Sequence, residues 1–263
     1  MNRFPRNKSF VCVFIFLYCF LLLQVASGQE ILIHSHNDYL RNVPFWEAYA
    51  NEAASIEADV ILKNGILYVA HEEESIIPEH TFTSLYLQPI LKARKLKIGH
   101  LKPFILLVDF KTEAYTTIDQ LVKDLEPFAE LWQDPENPFV KIVISGNRPD
   151  KDDYHQYPFP LFFDYQSVED TANLPLEKIA MISLNFRQFS QWNGKGRMVD
   201  GDIEKISNII DKAHQLDKPI RFWATPDSET AWKTLMELGV DFINTDQPYE
   251  AYKYLSNLQE RPG

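Results

Sequence analysis

Ile56-Glu57-Ala58-Asp59-Val60 places two carboxylates two residues apart in an otherwise apolar run with β-branched residues at both ends. Side chains alternate across a strand, so Glu57 and Asp59 face one way while Ile56, Ala58 and Val60 face the other. Two inward carboxylates with no positive partner would neutralise rather than stay buried as anions. The run therefore demands positive charge near the pair. It can come from a hard divalent cation such as Mg²⁺ or Ca²⁺, which takes oxygen ligands, or from a Lys or Arg on a neighbouring strand.

Further short apolar runs recur on either side of this one, separated by segments of helical pattern, as in βα units built around a parallel sheet. The pattern predicts strands over Ile31–His36, Ser55–Ile61, Phe104–Phe110, Val140–Gly146, Leu161–Tyr165, Ile179–Leu184, Pro219–Thr225 and Val240–Thr245. Ile66–Ala70 follows Asn64-Gly65, a dipeptide that favours a tight turn, and reads as an extra strand hairpinned onto the second. Helices are expected over Pro44–Glu52, Ser84–Lys97, Thr116–Leu131, Asp202–Gln215, Ser228–Leu238 and Pro248–Leu258. The fold expected is α/β, a (β/α)8 TIM-type barrel with an extra β-hairpin after strand 2. Arg148–Pro160 and Gln188–Asp200 read as long strand-to-helix loops of the kind that shape a substrate site.

The first residues read as a leader outside the fold. Arg3, Arg6 and Lys8 precede the apolar run Phe10–Val25, and Ala26-Ser27-Gly28 offers the small residues of a cleavage site. Residues 1–28 are thus expected to be a signal peptide, and 29–263 a single barrel domain exported to the periplasm or beyond. Kept in place, the run would instead anchor the chain. Both cysteines, Cys12 and Cys19, lie in the leader, so disulfides and thiolate chemistry are excluded from the remainder. Without Arg3, Arg6 and Lys8, 23 of the 26 Lys and Arg face 37 Asp and Glu, and the net charge moves from −11 to −14. That balance speaks against nucleic acid and against tight binding to anionic membranes.

Polar residues fall on alternate positions at the C-terminal end of almost every predicted strand, the end where barrel enzymes keep their active sites. The first ends His34-Ser35-His36, the second carries Glu57 and Asp59, the third ends Asp109-Phe110-Lys111, and the hairpin delivers His71. Later strands contribute Ser145 and Asn147, Ser183 and Asn185, Arg221 and Trp223, and Asn244 and Asp246. Glu57, Asp59 and Asp109 suffice to hold one Mg²⁺ with positions left open. His36 and His71 can serve as an acid–base pair, because imidazole titrates near neutral pH. Lys111 either contacts a phosphate oxygen or pairs with Asp109 or Glu57. His34 shares a face with His36, as a further ligand, a supporting group or a layer-filling residue. The aromatic residues Tyr154, Tyr157, Phe159, Phe162 and Phe163 cover a substrate or pack beneath a loop.

The motifs His36-Asn37-Asp38-Tyr39, Ser55-Ile56-Glu57-Ala58-Asp59-Val60, Tyr68-Val69-Ala70-His71 and Val108-Asp109-Phe110-Lys111-Thr112 occur in this order. Together they resemble the phospholipase-C-like phosphodiesterase barrels, which include glycerophosphodiester phosphodiesterases, phosphatidylinositol-specific phospholipase C and sphingomyelinase D. His34 to Tyr39 and Arg221-Phe222-Trp223-Ala224-Thr225-Pro226-Asp227 are most similar to the altered-inheritance-of-mitochondria subgroup. The resemblance implies catalytic His36 and His71, a divalent cation, Mg²⁺ or Ca²⁺, on Glu57, Asp59 and Asp109, and substrate contacts from Lys111, Trp223 and Asn244; His34, on the face of His36, is expected to join them. It implies metal-assisted hydrolysis of a small-molecule or lipid phosphodiester, with His36 as base and His71 as acid; separately, a monomer is expected. Glycerophosphodiester phosphodiesterases usually carry His-Arg-Gly where this chain has His36-Asn37-Asp38, and His-Asp where it has His71-Glu72. Glycerophosphodiesters therefore do not follow as the particular substrate.

Two other classes stay open. One is a barrel that binds without turnover. The other is a carboxylate glycosidase using Glu57 and Asp109, chemistry that has no need of His36, His71 or Lys111.

Overall fold

Nine strands run along residues 32–260, the part of the chain that the computed structural model describes: β1 (Leu32–Ser35), β2 (Ser55–Lys63), β3 (Ile66–Val69), β4 (Phe104–Phe110), β5 (Val140–Gly146), β6 (Leu161–Tyr165), β7 (Ile179–Asn185), β8 (Ile220–Trp223) and β9 (Phe242–Thr245). The expected leader lies outside the described residues. β1, β9, β8, β7, β6, β5, β4 and β2 pair in that order, all parallel, and β1 pairs with β2 to close the ring. This is the eight-stranded barrel the sequence predicts, with β3 outside the ring, antiparallel to β2.

The hairpin turn follows from its two residues. Asn64 and Gly65 sit at φ 53° and 74°, the left-handed conformation that a tight two-residue turn requires and that these residue types tolerate. β2 is consequently longer than predicted, reaching Lys63, and it is buried from Ser55 through Ile61 because β1, β3 and β4 all pair with it.

Helices α1 (Trp46–Ala50), α2 (Gln88–Leu96), α3 (Ala114–Leu125), α4 (Asp200–Gln215), α5 (Glu229–Glu237) and α6 (Pro248–Glu260) connect the strands. α3 starts one turn's worth of residues past β4 because the Glu113 carboxylate accepts from the Tyr115 and Thr116 amides, a cap that contributes about 1 kcal/mol. It then buries Ile118, Leu121 and Leu125 on one face. α5 is capped likewise by Ser228 and buries Ala231, Trp232 and Leu235. β5 and β6 are followed only by short 3-10 turns, Lys151–Gln156 and Leu176–Lys178, so the long loop expected over Arg148–Pro160 is present. No helix among the described residues is long and apolar enough to cross a membrane.

Inside the ring, Leu107, Val143, Met181 and Phe242 fill an apolar layer. Around and beyond this layer the buried lining turns polar, in Ser145, Ser183 and Asn244 two places further along their strands and in His34, Ser55, Glu57, Asp164 and Arg221 on the others. The site is built on this polar layer.

Candidate active site

The C-terminal mouth of the barrel opens into a cavity of about 760 Å³ whose wall includes His36, Glu57, Asp59, His71, Asp109, Lys111, Arg221 and Trp223. β2 and β4 run in register there, with Asp59 opposite Asp109, which brings the two carboxylates together on adjacent strands. One oxygen from each of Glu57, Asp59 and Asp109 lies within 4.8 Å of the others.

Each carboxylate is held on one side. Arg221 Nη1 donates to Glu57 Oε2 at 2.8 Å, and His34 Nε2 stands 2.7 Å from the same oxygen. Burial and the adjacent guanidinium push His34 down to about 3, so it is neutral and its bond to Glu57 is a hydrogen bond, not an ion pair. Burial alone would raise the Glu57 pKa, but the His34 bond and the charge of Arg221 outweigh it and hold the carboxyl well below its usual range. Asp59 Oδ2 accepts from Tyr39 Oη at 2.9 Å, His71 Nδ1 at 2.7 Å and Lys111 Nζ at 3.2 Å. Lys111 Nζ also lies 3.1 Å from Asp109 Oδ1. Asp109 is pushed up to about 6 by burial, against the pull of Lys111 and with the repulsion of Glu57 and Asp59.

Of the two sources of positive charge foreseen for the Glu57–Asp59 pair, the side chains are seen, Lys111 from the end of neighbouring β4 and Arg221 from β8 across the ring. Yet three carboxylates against two cations leave a negative remainder. Asp59 Oδ1 is buried and has no hydrogen-bond partner. An anionic oxygen left so is costly unless something binds it. Gly146, at φ 68°, gives Asp109 its space: a Cβ there would come within 2.2 Å of Asp109 Oδ1. An orphaned carboxylate oxygen, a clustered set of hard oxygen donors and a backbone shaped around one of them fit a divalent cation.

The two histidines share a geometry. His36 Nδ1 is 2.8 Å from Asp246 Oδ1 and His71 Nδ1 is 2.7 Å from Asp59 Oδ2, so in each a carboxylate anchors Nδ1 and Nε2 is left for other work. Burial disfavours the His36 cation, but the Asp246 bond and the charges of Glu57 and Asp246 prevail and raise its pKa above the usual imidazole value. Asp246 is itself fixed: Asp227 accepts from its amide at 2.8 Å, from Thr245 Oγ1 at 2.6 Å and from Trp232 Nε1 at 2.7 Å.

His34 and Asn244, expected to contact substrate, do not line the cavity. His34 is wholly buried beneath it between Ser55 and Glu57, and Asn244 accepts from Arg221 at 3.4 Å. They pair across β1 and β9 and lie one layer below His36. Trp223 does line the cavity, followed by Ala224 at φ 56°, a conformation rare for a residue with a Cβ and worth strain at a site. The aromatic cluster packs instead of covering the site: Tyr154 stacks on Phe163 with ring centres 3.7 Å apart, and both belong to the core. Sequence reasoning placed Arg221 and Asp246 among the strand-end polar residues and Tyr39 within a motif but gave none of the three a role. Alternation marked Arg221, two before Trp223, and Asp246, two after Asn244, and nothing in the sequence showed the carboxylates or imidazole they would meet.

Residues 25–98 match the AIM6-like phosphodiesterase domain family, and residues 219–249 match the glycerophosphoryl diester phosphodiesterase family. The chain is 27% identical over 270 residues to the altered inheritance of mitochondria protein 6 homolog of Arthroderma benhamiae, covering 85% of this chain and 83% of that one. It is 28% identical over 269 residues to altered inheritance of mitochondria protein 6 of Eremothecium gossypii, covering 81% and 67%. Among solved structures, a glycerophosphodiester phosphodiesterase from Parabacteroides distasonis superposes with a TM-score of 0.59 at 14% identity, covering 89% of this chain and 100% of that one. An Oleispira antarctica phosphodiesterase in complex with the product sn-glycerol-3-phosphate gives 0.51 at 14%, covering 80% and 88%. At such identities the structural likeness is one of fold. The matches bear out the resemblance to the phospholipase-C-like phosphodiesterases and, within them, to the altered-inheritance-of-mitochondria subgroup.

Proposed function

We propose that this chain is a metal-dependent phosphodiester hydrolase that acts on a glycerophosphodiester or (lyso)phospholipid-type substrate by paired-histidine acid–base catalysis. The observation that carries the reading is the meeting, on one cavity wall, of two carboxylate-anchored imidazoles and a three-carboxylate centre with an orphaned oxygen. The match to phosphodiesterase families supports a phosphodiester as the substrate class, and the product-bound structure of like fold is in keeping with it.

Glu57, Asp59 and Asp109 would hold the cation, Mg²⁺ or Ca²⁺. When bound it supplies Lewis-acid stabilisation of charge on the non-bridging phosphoryl oxygens. The remaining work falls to side chains. His36, with its proton on Nδ1 toward Asp246, has a basic Nε2 that accepts the proton of the nucleophile, water or a hydroxyl of the substrate itself. The same bond to Asp246 stabilises the imidazolium that forms. His71, its Nδ1 held by Asp59, gives an Nε2 proton to the leaving alkoxide. Lys111 keeps an ammonium beside Asp59 and Asp109, where it adds to the field stabilising a five-coordinate phosphorus. Trp223 offers a flat apolar wall for the leaving group.

Hydrolysis of bis-p-nitrophenyl phosphate, lysophospholipids and glycerophosphodiesters, with and without EDTA and added Mg²⁺ or Ca²⁺, tests the proposal. Release that EDTA abolishes and metal restores is the expected result. Silence across the panel from protein shown to hold metal would leave a barrel that binds without turnover.

A further inference from the structure

We infer that Asp227, which does not line the cavity, is the positioning residue of the base: it locks the turn after β9 so that the Asp246 carboxylate stays on His36. The inference rests on the acid–base reading above and goes beyond it by naming what holds the anchor of the base.

The Asp246 side chain is 55% exposed, and an exposed pair such as its 2.8 Å contact with His36 Nδ1 holds its geometry weakly. Arg41 Nη2 comes no nearer to it than 4.0 Å. Its backbone is the fixed part. Asp227 Oδ2 accepts from Asp246 N at 2.8 Å and from Gln247 Nε2 at 3.4 Å. Asp227 Oδ1 accepts from Thr245 Oγ1 at 2.6 Å and from Trp232 Nε1 at 2.7 Å, which ties the turn to α5. Thr245 Oγ1 in turn accepts from Gln247 N at 2.8 Å.

The strand that carries the base hangs on the same turn. His36 N donates to Thr245 O at 3.0 Å, and Ser35 stands opposite Thr245 in the β1–β9 ladder. One carboxylate thus sets the turn that holds both the His36 backbone and the anchor of its ring. Asparagine at 227 would have one oxygen for four donors. It stays with the two shorter bonds, to Thr245 and Trp232, and turns its amide NH₂ to the Asp246 N–H, donor against donor.

The test is a double-mutant cycle on the full chain: wild type, Asp227→Asn, Asp246→Asn and both together. The readouts are the NMR titration of the His36 ring, identified by its loss in His36→Ala, and kcat and KM on a diester that the wild type cleaves. Asp246, Asn37, Glu57, Arg221 and Arg41 surround His36, and the change at 227 displaces Asp246. Asp246 raises the His36 pKa, so each single variant is expected to move the His36 midpoint to lower pH, Asp227→Asn by the smaller amount. Asp227→Asn is also expected to lower kcat by about 10- to 100-fold with KM nearly unchanged. Added to Asp246→Asn, the change at 227 should do nothing further to either readout. An unmoved midpoint in Asp227→Asn overturns the inference. So does an equal shift with and without the Asp246 carboxylate, because a charge lost at a distance acts in both backgrounds. Trp232→Phe removes one bond from the other oxygen and is expected to lower Tm but leave the midpoint in place; a shift matching that of Asp227→Asn would mean general loosening and overturn the assignment. Should Asp227→Asn fail to fold, Asp227→Glu, which keeps the charge and displaces the oxygens, takes its place in the cycle. Midpoints that behave as expected in a protein that cleaves no diester would leave the positioning role standing and overturn the acid–base reading.

Discussion

At the scale of single residues the site is a set of paired charges, and its titrations have signs that can be worked out. His36→Ala and His71→Ala are each expected to lower turnover by about 10²- to 10⁴-fold with the fold intact by circular dichroism, because each removes one proton transfer; wild-type rates in either would sink the acid–base assignment. Asp246 raises the His36 pKa, so Asp246→Asn lowers it, and the acidic limb of the kcat/KM profile, where the base becomes protonated, moves to lower pH. The maximal rate falls as well, since the carboxylate no longer steadies the imidazolium. Asp38 sits apart from this chemistry, wholly buried, accepting from the Phe45 amide at 2.6 Å, Tyr86 at 3.0 Å and Ser35 at 3.2 Å. Burial pushes it up to about 6 from the usual 3.8 despite those bonds. A carboxyl with a raised folded pKa contributes stability below its unfolded pKa and loses it as pH rises through the folded value. Denaturant unfolding of the wild type relative to Asp38→Asn is therefore expected to show a relative loss of about 3 kcal/mol between pH 4 and 6, and a flat difference would refute it. Glu57, Asp59, Asp109, His36, His71 and Lys111 were legible because alternation along a strand fixes the face each takes. Depth along the barrel axis was not, since it depends on the stagger between strands. That is why His34, on the same face as His36, lies beneath the cavity, and why Arg221, 164 residues from Glu57, gave no sign of its partner.

At the scale of elements, the strand ends act as rigid posts and the turns after them as the parts that aim. The hairpin β2–β3 was readable from Asn64-Gly65 flanked by apolar runs, and it places His71 beside Asp59 because Ala70 N bonds Asp59 O at 3.2 Å. The end of β5 was read correctly at Gly146, but no sequence signal told that this glycine shapes the neighbouring strand's carboxylate. Gly65 and Gly146 make a controlled comparison. Both have positive φ, yet a Cβ at Gly65 would meet nothing within 4 Å, whereas at Gly146 it would meet Asp109 Oδ1 at 2.2 Å and Phe110 O at 2.6 Å. Gly65→Ala is expected to cost about 1 kcal/mol of stability from backbone strain alone. Gly146→Ala should cost about 2 to 4 kcal/mol, strain and overpacking together. Only the second should weaken metal binding, since it displaces Asp109; equal effects of the two on calorimetric metal affinity would show that the Gly146 backbone does not hold the ligand.

At the scale of the whole molecule, the barrel keeps an acidic centre in a chain whose charge is already negative, −11 overall. Any salt would lessen that general repulsion, and only a cation seated on the three carboxylates would act beyond it. The two effects separate by comparing MgCl₂ with NaCl at equal ionic strength. A ligand bound only by the folded state at about a hundred times its Kd stabilises by about 2.7 kcal/mol. For a domain of about 150 to 250 residues that corresponds to a rise in Tm of about 5 to 10 °C. The wild type is expected to show this rise with MgCl₂ and little with matched NaCl, and Asp59→Asn should lose most of it, because the orphaned Oδ1 belongs to the replaced carboxylate. The rise should also shrink as pH falls through about 6, where Asp109 takes up a proton that the ion must displace. If NaCl matched MgCl₂ at every pH, the carboxylates would be no more than part of the general surface field, and the metal centre would have to be given up.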